Sequence, residues 1–193
     1  PFSPAIPFLL KVQDGAPCGG LLSFTVTLLF DGHVMTWPLS LQLGTLGAET
    51  TAFNDDPETD SGLWREAAGS SSVANWTWKT STYYHSGSKV WHAVEISDVN
   101  DAYLILGPLS LEAGYVYTLS FWQTRGIETG YDGAVLESRT EGQPWSDIGA
   151  YILQNGYNTC VASSYSSPIA SQPAWSGGSL GTMTLVRVDL REW

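Results

Sequence analysis

From Leu22 to Phe30 every second residue is apolar: Leu22, Phe24, Val26, Leu28 and Phe30 alternate with Ser23, Thr25 and Thr27. A period of two is the signature of a strand with one face on apolar matter and the other in water. Asp31-Gly32 follows as a turn signal, and Trp37, Leu39, Leu41 and Leu43 then alternate with Thr36, Pro38, Ser40 and Gln42. The two runs predict a hairpin, with Pro38 suited to an edge or outward position because it has no N–H to give a ladder. Together with a shorter extended run from Phe8 to Val12, this region supplies only about three strands, too few to close a sandwich of their own. It needs a covering surface.

Gly44 to Thr51 carries small residues without periodicity, and Asn54 to Gly62 is an acidic turn cluster, so the sequence predicts a domain boundary here, with residues 47–52 as linker. Beyond it, short aromatic or β-branched runs recur between Gly, Asp, Asn and Pro. They cover Trp76 to Tyr83, Val90 to Ile96, Tyr103 to Leu106, Tyr115 to Gln123, Gly133 to Arg139, Trp145 to Ile152 and Met183 to Leu190. That spacing predicts an all-β chain folded as an antiparallel sandwich, with no sustained helical period. Within Tyr115 to Gln123, one face holds Tyr117, Leu119, Phe121 and Gln123, and the other Val116, Thr118, Ser120 and Trp122. In the last run Val186, Val188 and Leu190 share a face opposite Leu185, Arg187 and Asp189.

Composition narrows the class. Apolar residues make up 43% of the 193 positions and charged residues only 14%, with 19 acidic against 8 basic side chains and a formal charge of −11. No Lys/Arg cluster interrupts that balance, which excludes a phosphate backbone as partner. No apolar run reaches the ~20 residues that span a bilayer, and no leader pattern opens the chain. Pro1 opens in what reads as mid-domain sequence, so the chain is expected to belong to a larger polypeptide. Cys18 and Cys160 are the two cysteines; bridged, as an extracellular setting allows, they would close a long loop worth about 4 to 5 kcal/mol in the chain-entropy treatment.

An ordered set of short motifs points further. Tyr84-His85-Ser86-Gly87-Ser88-Lys89-Val90-Trp91 is followed by Leu119-Ser120-Phe121-Trp122 and by Glu128-Thr129-Gly130-Tyr131-Asp132-Gly133-Ala134-Val135-Leu136-Glu137. Glu141-Gly142-Gln143-Pro144-Trp145, Gly156-Tyr157 and Ala174-Trp175-Ser176-Gly177 come after them. In this order they resemble the jelly-roll, MAM-like module found beside immune inhibitor A and fungalysin-type secreted metalloproteases, over roughly Ala52 to Trp193. Gln123 stands where such modules often carry His, and Asn54 where an opening Phe-Glu places a carboxylate. Residues 1–46 resemble the last strands of an immunoglobulin-like domain. The resemblance implies a jelly-roll-like β-sandwich at 53–193 preceded by a partial immunoglobulin-like β segment, in a secreted or cell-surface setting, and nothing in it implies catalysis.

Each chemistry-bearing residue also has a plainer role. No HExxH occurs, His33, His85 and His92 are too scattered for a helix-borne zinc pair, and there is no G-x-S-x-G elbow. Glu128, Asp132 and Glu137 are the carboxylates a glycosidase would need, but Asp132-Gly133 reads as a turn and Glu137 as the outward position of a strand, so no enzymatic activity is expected. A structural calcium ion would draw on Asp55, Asp56, Glu58, Glu128, Asp132 and Asp189, the plain alternative being a solvated acidic turn. Trp64, Trp76, Trp78, Tyr83, Tyr84, Trp145 and Trp175 fall in loops or at strand ends, where flat rings stack on sugars if exposed and serve as core anchors if not. Asn75-Trp76-Thr77 is a glycosylation sequon. Three functions follow as expectations: a non-catalytic binding or adhesion module for a glycan or protein surface, a subunit of an extracellular filament or surface layer assembled with copies of itself by strand complementation, and, least favoured, a glycoside hydrolase.

Overall fold

The computed structural model describes residues 10–11, 19–45, 47–69, 76–94, 96–112 and 114–190. The run predicted from Phe8 to Val12 falls mostly outside them, as do Cys18 and the sequon's Asn75. The chain divides into two units, Pro1–Ala52 and Phe53–Trp193. Among the described residues it is all-β: every paired strand is antiparallel, the sheets are small, no barrel closes, and no helix is long and apolar enough to cross a membrane.

The first unit is a two-stranded ribbon. Strand β1 (Gly20–Phe30) pairs with β2 (His33–Leu43) in unbroken register from Gly20 opposite Leu43 to Phe30 opposite His33. The two-residue turn needs positive φ at both positions, and Asp31 and Gly32 adopt 45° and 75°. This matches the mirror-image turn whose twist suits a hairpin. The register stacks Leu22 with Leu41, Phe24 with Leu39, Val26 with Trp37 and Leu28 with Met35 on one face. Ser23 with Ser40, Thr25 with Pro38 and Thr27 with Thr36 lie on the other.

In the second unit, β3 (Trp64–Ala68) pairs with β6 (Ala102–Leu106), and β4 (Thr77–Thr80) with β5 (Lys89–His92). A three-stranded sheet orders β10 (Ile152–Gln154), β13 (Thr184–Asp189) and β7 (Thr118–Gln123). Two short pairs, β8 (Glu137–Ser138) with β9 (Ser146–Asp147) and β11 (Thr159–Cys160) with β12 (Pro173–Ala174), and a bridge between Ala134 and Trp175 complete the ladders. The alternation read from the sequence sets the faces here: Val186 and Val188 are 0% exposed, and they pack with Ile148 and Trp175. Leu119, Phe121, Leu136, Ile152, Tyr157 and Leu190 flank that cluster. The core therefore lies between the inner face of the β10-β13-β7 sheet and the segment around Ala134, Ile148 and Trp175.

Two departures from the sequence reading have local causes. The run from Trp145 to Ile152 is not one strand: the Asp147 carboxylate accepts the Gly149 N–H at 2.7 Å, and a 3-10 turn at Gly149–Tyr151 separates β9 from β10. The run from Gly133 to Arg139 is likewise not one strand, only a bridge at Ala134 and β8: Gly133 sits where a Cβ would come within 2.7 to 3.0 Å of Val161, Ala174 and Ile169, so the backbone there passes closer to its neighbours than a side chain permits.

Candidate functional site

The nominated residues separate into those the fold consumes and those it leaves free. Trp175 belongs to the core: it is 3% exposed, meets Phe121 and Tyr157 edge to face with centroids 6.0 and 4.8 Å away, and donates Nε1–H to the Asn155 carbonyl at 2.8 Å. It is corrected from ligand contact to core anchor, because its ring fills the space between the sheet and the Ala134 segment. Trp64, Trp76 and Trp78 are half-buried, and each donates its indole N–H inward, to Asp55 Oδ2 (2.6 Å), the Ala102 carbonyl (3.3 Å) and the Pro57 carbonyl (2.6 Å). Lys89 Nζ lies 3.9 Å from the Trp78 ring centroid, so that ring's face is also occupied.

Four of the six carboxylates considered as calcium ligands accept hydrogen bonds: Asp55, Asp56, Glu58 and Asp132. Glu58 receives the Ser88 N–H at 2.6 Å, the Lys89 N–H and the Ser88 hydroxyl at 3.1 Å, thirty residues along the chain. These bonds, first from the Ser88 and Lys89 backbone, hold its carboxyl below the usual carboxylate range. Asp56 accepts the Glu58 N–H at 3.1 Å, and Asp55 is taken by Trp64. Asp132 accepts the Glu128 N–H at 3.3 Å across their own turn, and Asp189 lies opposite Thr118 in the sheet. Among the described residues no three His, Cys, Asp or Glu side chains gather closely enough to hold a metal ion. The acidic turn is thus a strap tied down by its own side chains. Cys160 is a free, exposed thiol in β11, so the expected bridge is not formed to it, and Cys18 lies outside the described residues.

The Glu128–Asp132 loop is anchored by a buried serine. Ser176, 1% exposed, receives the Gly130 N–H at 2.8 Å and donates toward the Asp132 and Glu128 carbonyls, while its backbone is bound by Asn158 and Arg125. Glu137, the third carboxylate weighed for catalysis, faces Asp147 across the β8–β9 pair. Burial, then Asp147 and Asp101, raise its carboxyl above the normal range. Tyr157 donates to Asp147 at 2.8 Å and is itself pushed up, mainly by burial. An open depression of about 450 Å³ borders this group, lined by Asp147, Gly149, Ala150, Gly156, Tyr157 and Pro173.

What remains exposed is aromatic. On the outer face of β7, opposite the core, Trp122 is 44% exposed, and the His85 ring lies parallel to it with centroids 3.9 Å apart and an 18° interplanar angle. The turn between β4 and β5 brings His85 there. Tyr83 and Tyr84, both exposed, immediately precede it, within about 7 Å of backbone. Trp122 pairs in register with Leu185 of β13, and the same outer face carries Ser120 opposite Arg187 and Thr118 opposite Asp189. Trp145 is also exposed, with the Arg139 guanidinium 4.5 Å from its ring centroid. The sequence places Trp122 on the face away from the core, which was the signal available for it, but its position inside a regular strand gives no hint of the His85 stack. Comparison of the chain with family models, with curated proteins and with solved structures gave no match.

Proposed function

We propose that the chain is a non-catalytic extracellular binding module of a larger secreted or cell-surface protein, and that the Trp122–His85 surface takes a sugar ring. The observation that carries this reading is a flat, solvent-facing ring pair on the outer face of a rigid sheet, with Tyr83 and Tyr84 beside it and Ser120, Arg187 and Thr118 along the same face. The Trp122 ring, held by β7 and stacked by His85, loses little freedom on binding, and the exposed ring faces offer apolar area to the C–H faces of a pyranose while neighbouring polar groups bond its hydroxyls. With a net charge of −11, the chain favours neutral or basic glycans over sulfated or uronic ones. The ordered motif resemblance supports the same reading, with residues 53–193 as a jelly-roll, MAM-like module. The non-catalytic reading is supported by Asp132, whose carboxylate is taken by the Glu128 N–H across their own turn.

A glycan array followed by titration calorimetry tests it. Binding of a neutral oligosaccharide, weakened about 10-fold or more in Trp122→Ala at unchanged melting temperature, is the expected result, on the scale of ~1.4 kcal/mol per decade. No binding across the array, or equal affinity in Trp122→Ala, would sink the proposal.

A further inference from the structure

Within the first unit, the described residues leave one apolar face of the β1–β2 ribbon open. Val26, Leu28, Phe30, Met35, Trp37, Leu39 and Leu41 all point to that face and are 37 to 51% exposed. The opposite face carries Ser23, Thr25, Thr27, Thr36 and Ser40 along its middle, with Leu29 and Val34 beside the turn and Leu21 at the far end, so the apolar strip is continuous on the first face only. Taking about 150–250 Å² for a large side chain in full contact with water, these residues leave on the order of 600 Å² of apolar surface in one continuous strip. That is at the upper end for the largest apolar patch of a soluble monomer. A two-stranded ribbon is also marginal in water without something against its face.

We propose that a second copy of this chain covers it, the two ribbons packing apolar face to apolar face. Three observations favour a second copy. The first is charge: the chain carries −11 overall, yet Asp31, in the turn, is the only Asp, Glu, Lys or Arg from Gly20 to Leu43. A ribbon this poor in charge lets two such acidic chains meet without setting like charges against each other. The second is area: two strips of this size bury about 1,200 Å² between them, the lower bound for a specific interface. The third is shape: the middle rung sets small Val26 beside large Trp37, so a ribbon laid over its copy places bulk against hollow at its centre. This proposal does not depend on the sugar-binding reading, which concerns the other unit.

Sedimentation velocity across a concentration series tests it. The expected result is a reversible dimer with a micromolar dissociation constant, weakened about 100-fold in Leu28→Ser/Trp37→Ser and unchanged in Thr36→Lys on the hydroxyl face. Because the double variant can also melt the ribbon, amide exchange is followed on the unaltered chain, where protection of the β1 and β2 amides should rise with protein concentration. A monomer at 100 μM, on the order of 100-fold above that constant, overturns the proposal. So does protection that ignores concentration, which would assign the cover to the chain's own residues, and so does a dimer that persists in the double variant.

Discussion

Replacing Trp175 with alanine tests whether the late Ala-Trp-Ser-Gly stretch is a loop or the centre of the fold. The indole is 3% exposed, touches Phe121 and Tyr157 edge to face, and gives its N–H to the Asn155 carbonyl. Truncating a buried aromatic to alanine costs about 3–5 kcal/mol in transfer and cavity terms, and the Asn155 carbonyl loses a donor worth roughly a further 1 kcal/mol unless water reaches it. Trp175→Phe keeps a ring but loses the N–H and part of the volume, and should cost about half as much. Set against a total stability of 5–15 kcal/mol, the alanine variant stands near the edge of folding. A unit of this size loses about 2–4 °C per kcal/mol, so the expected drop in Tm is roughly 8–24 °C for alanine and 4–12 °C for phenylalanine. Thermal melts followed by near-ultraviolet circular dichroism read both. An alanine variant melting within about 3 °C of the parent would refute the placement of Trp175 in the core, since no buried indole is removed so cheaply.

The Glu58 strap should show itself in pH dependence. A carboxyl held low contributes stability above its ordinary value of 4.5 and loses it as pH falls through its folded value, so Glu58→Gln should be the less stable form at pH 7, with the difference smaller at pH 3. Glu137 carries the opposite sign: raised by burial and by Asp147, it favours the fold while protonated and opposes it above 4.5, so Glu137→Gln should gain stability at pH 7 and nothing at pH 3. Urea titrations of the two variants at both pH values check the pair. Gly133→Ala should cost about 1–3 kcal/mol, because its methyl meets Val161, Ala174 and Ile169 at 3.0 Å or less, whereas Gly181→Ala, with nothing within 4 Å, should shift the melt little; equal melts for the two would refute the close-packing argument.

The hairpin and the two central strands were legible because their alternation is local: each apolar position in β1, β7 and β13 declares its face by its neighbours two residues away. β3 was not read, since Trp64-Arg65-Glu66-Ala67-Ala68 does not alternate and becomes a strand through its pairing with Ala102–Leu106. β11 and β12, two residues each, are held by contacts within the Ser176 and Asn158 network and carry no periodic signal. The same distinction governs the candidate site. Acidic density around Asp55, Asp56 and Glu58 suggested an ion, but the donors that satisfy Glu58 lie at Ser88 and Lys89, far along the chain. Trp175 lies in no periodic run, and Phe121 and Tyr157, which enclose it, are distant in sequence. The nominated tyrosines remained exposed. The residue that organises their surroundings, Trp122, was assigned to the correct face without being given a role.

The position of β13 in the sheet has a consequence for biosynthesis. Val186 and Val188 sit in the central strand, between β7 and β10, so the sheet has no middle until nearly the whole of the second unit has left the ribosome. Until then Leu119, Phe121 and Ile152 have no partner strand, and the nascent chain presents those side chains to water for as long as translation takes to reach residue 188. Slow synthesis between β10 and β13 therefore prolongs exposure of a sticky intermediate, and holdase chaperones should engage the second unit over that interval rather than before it.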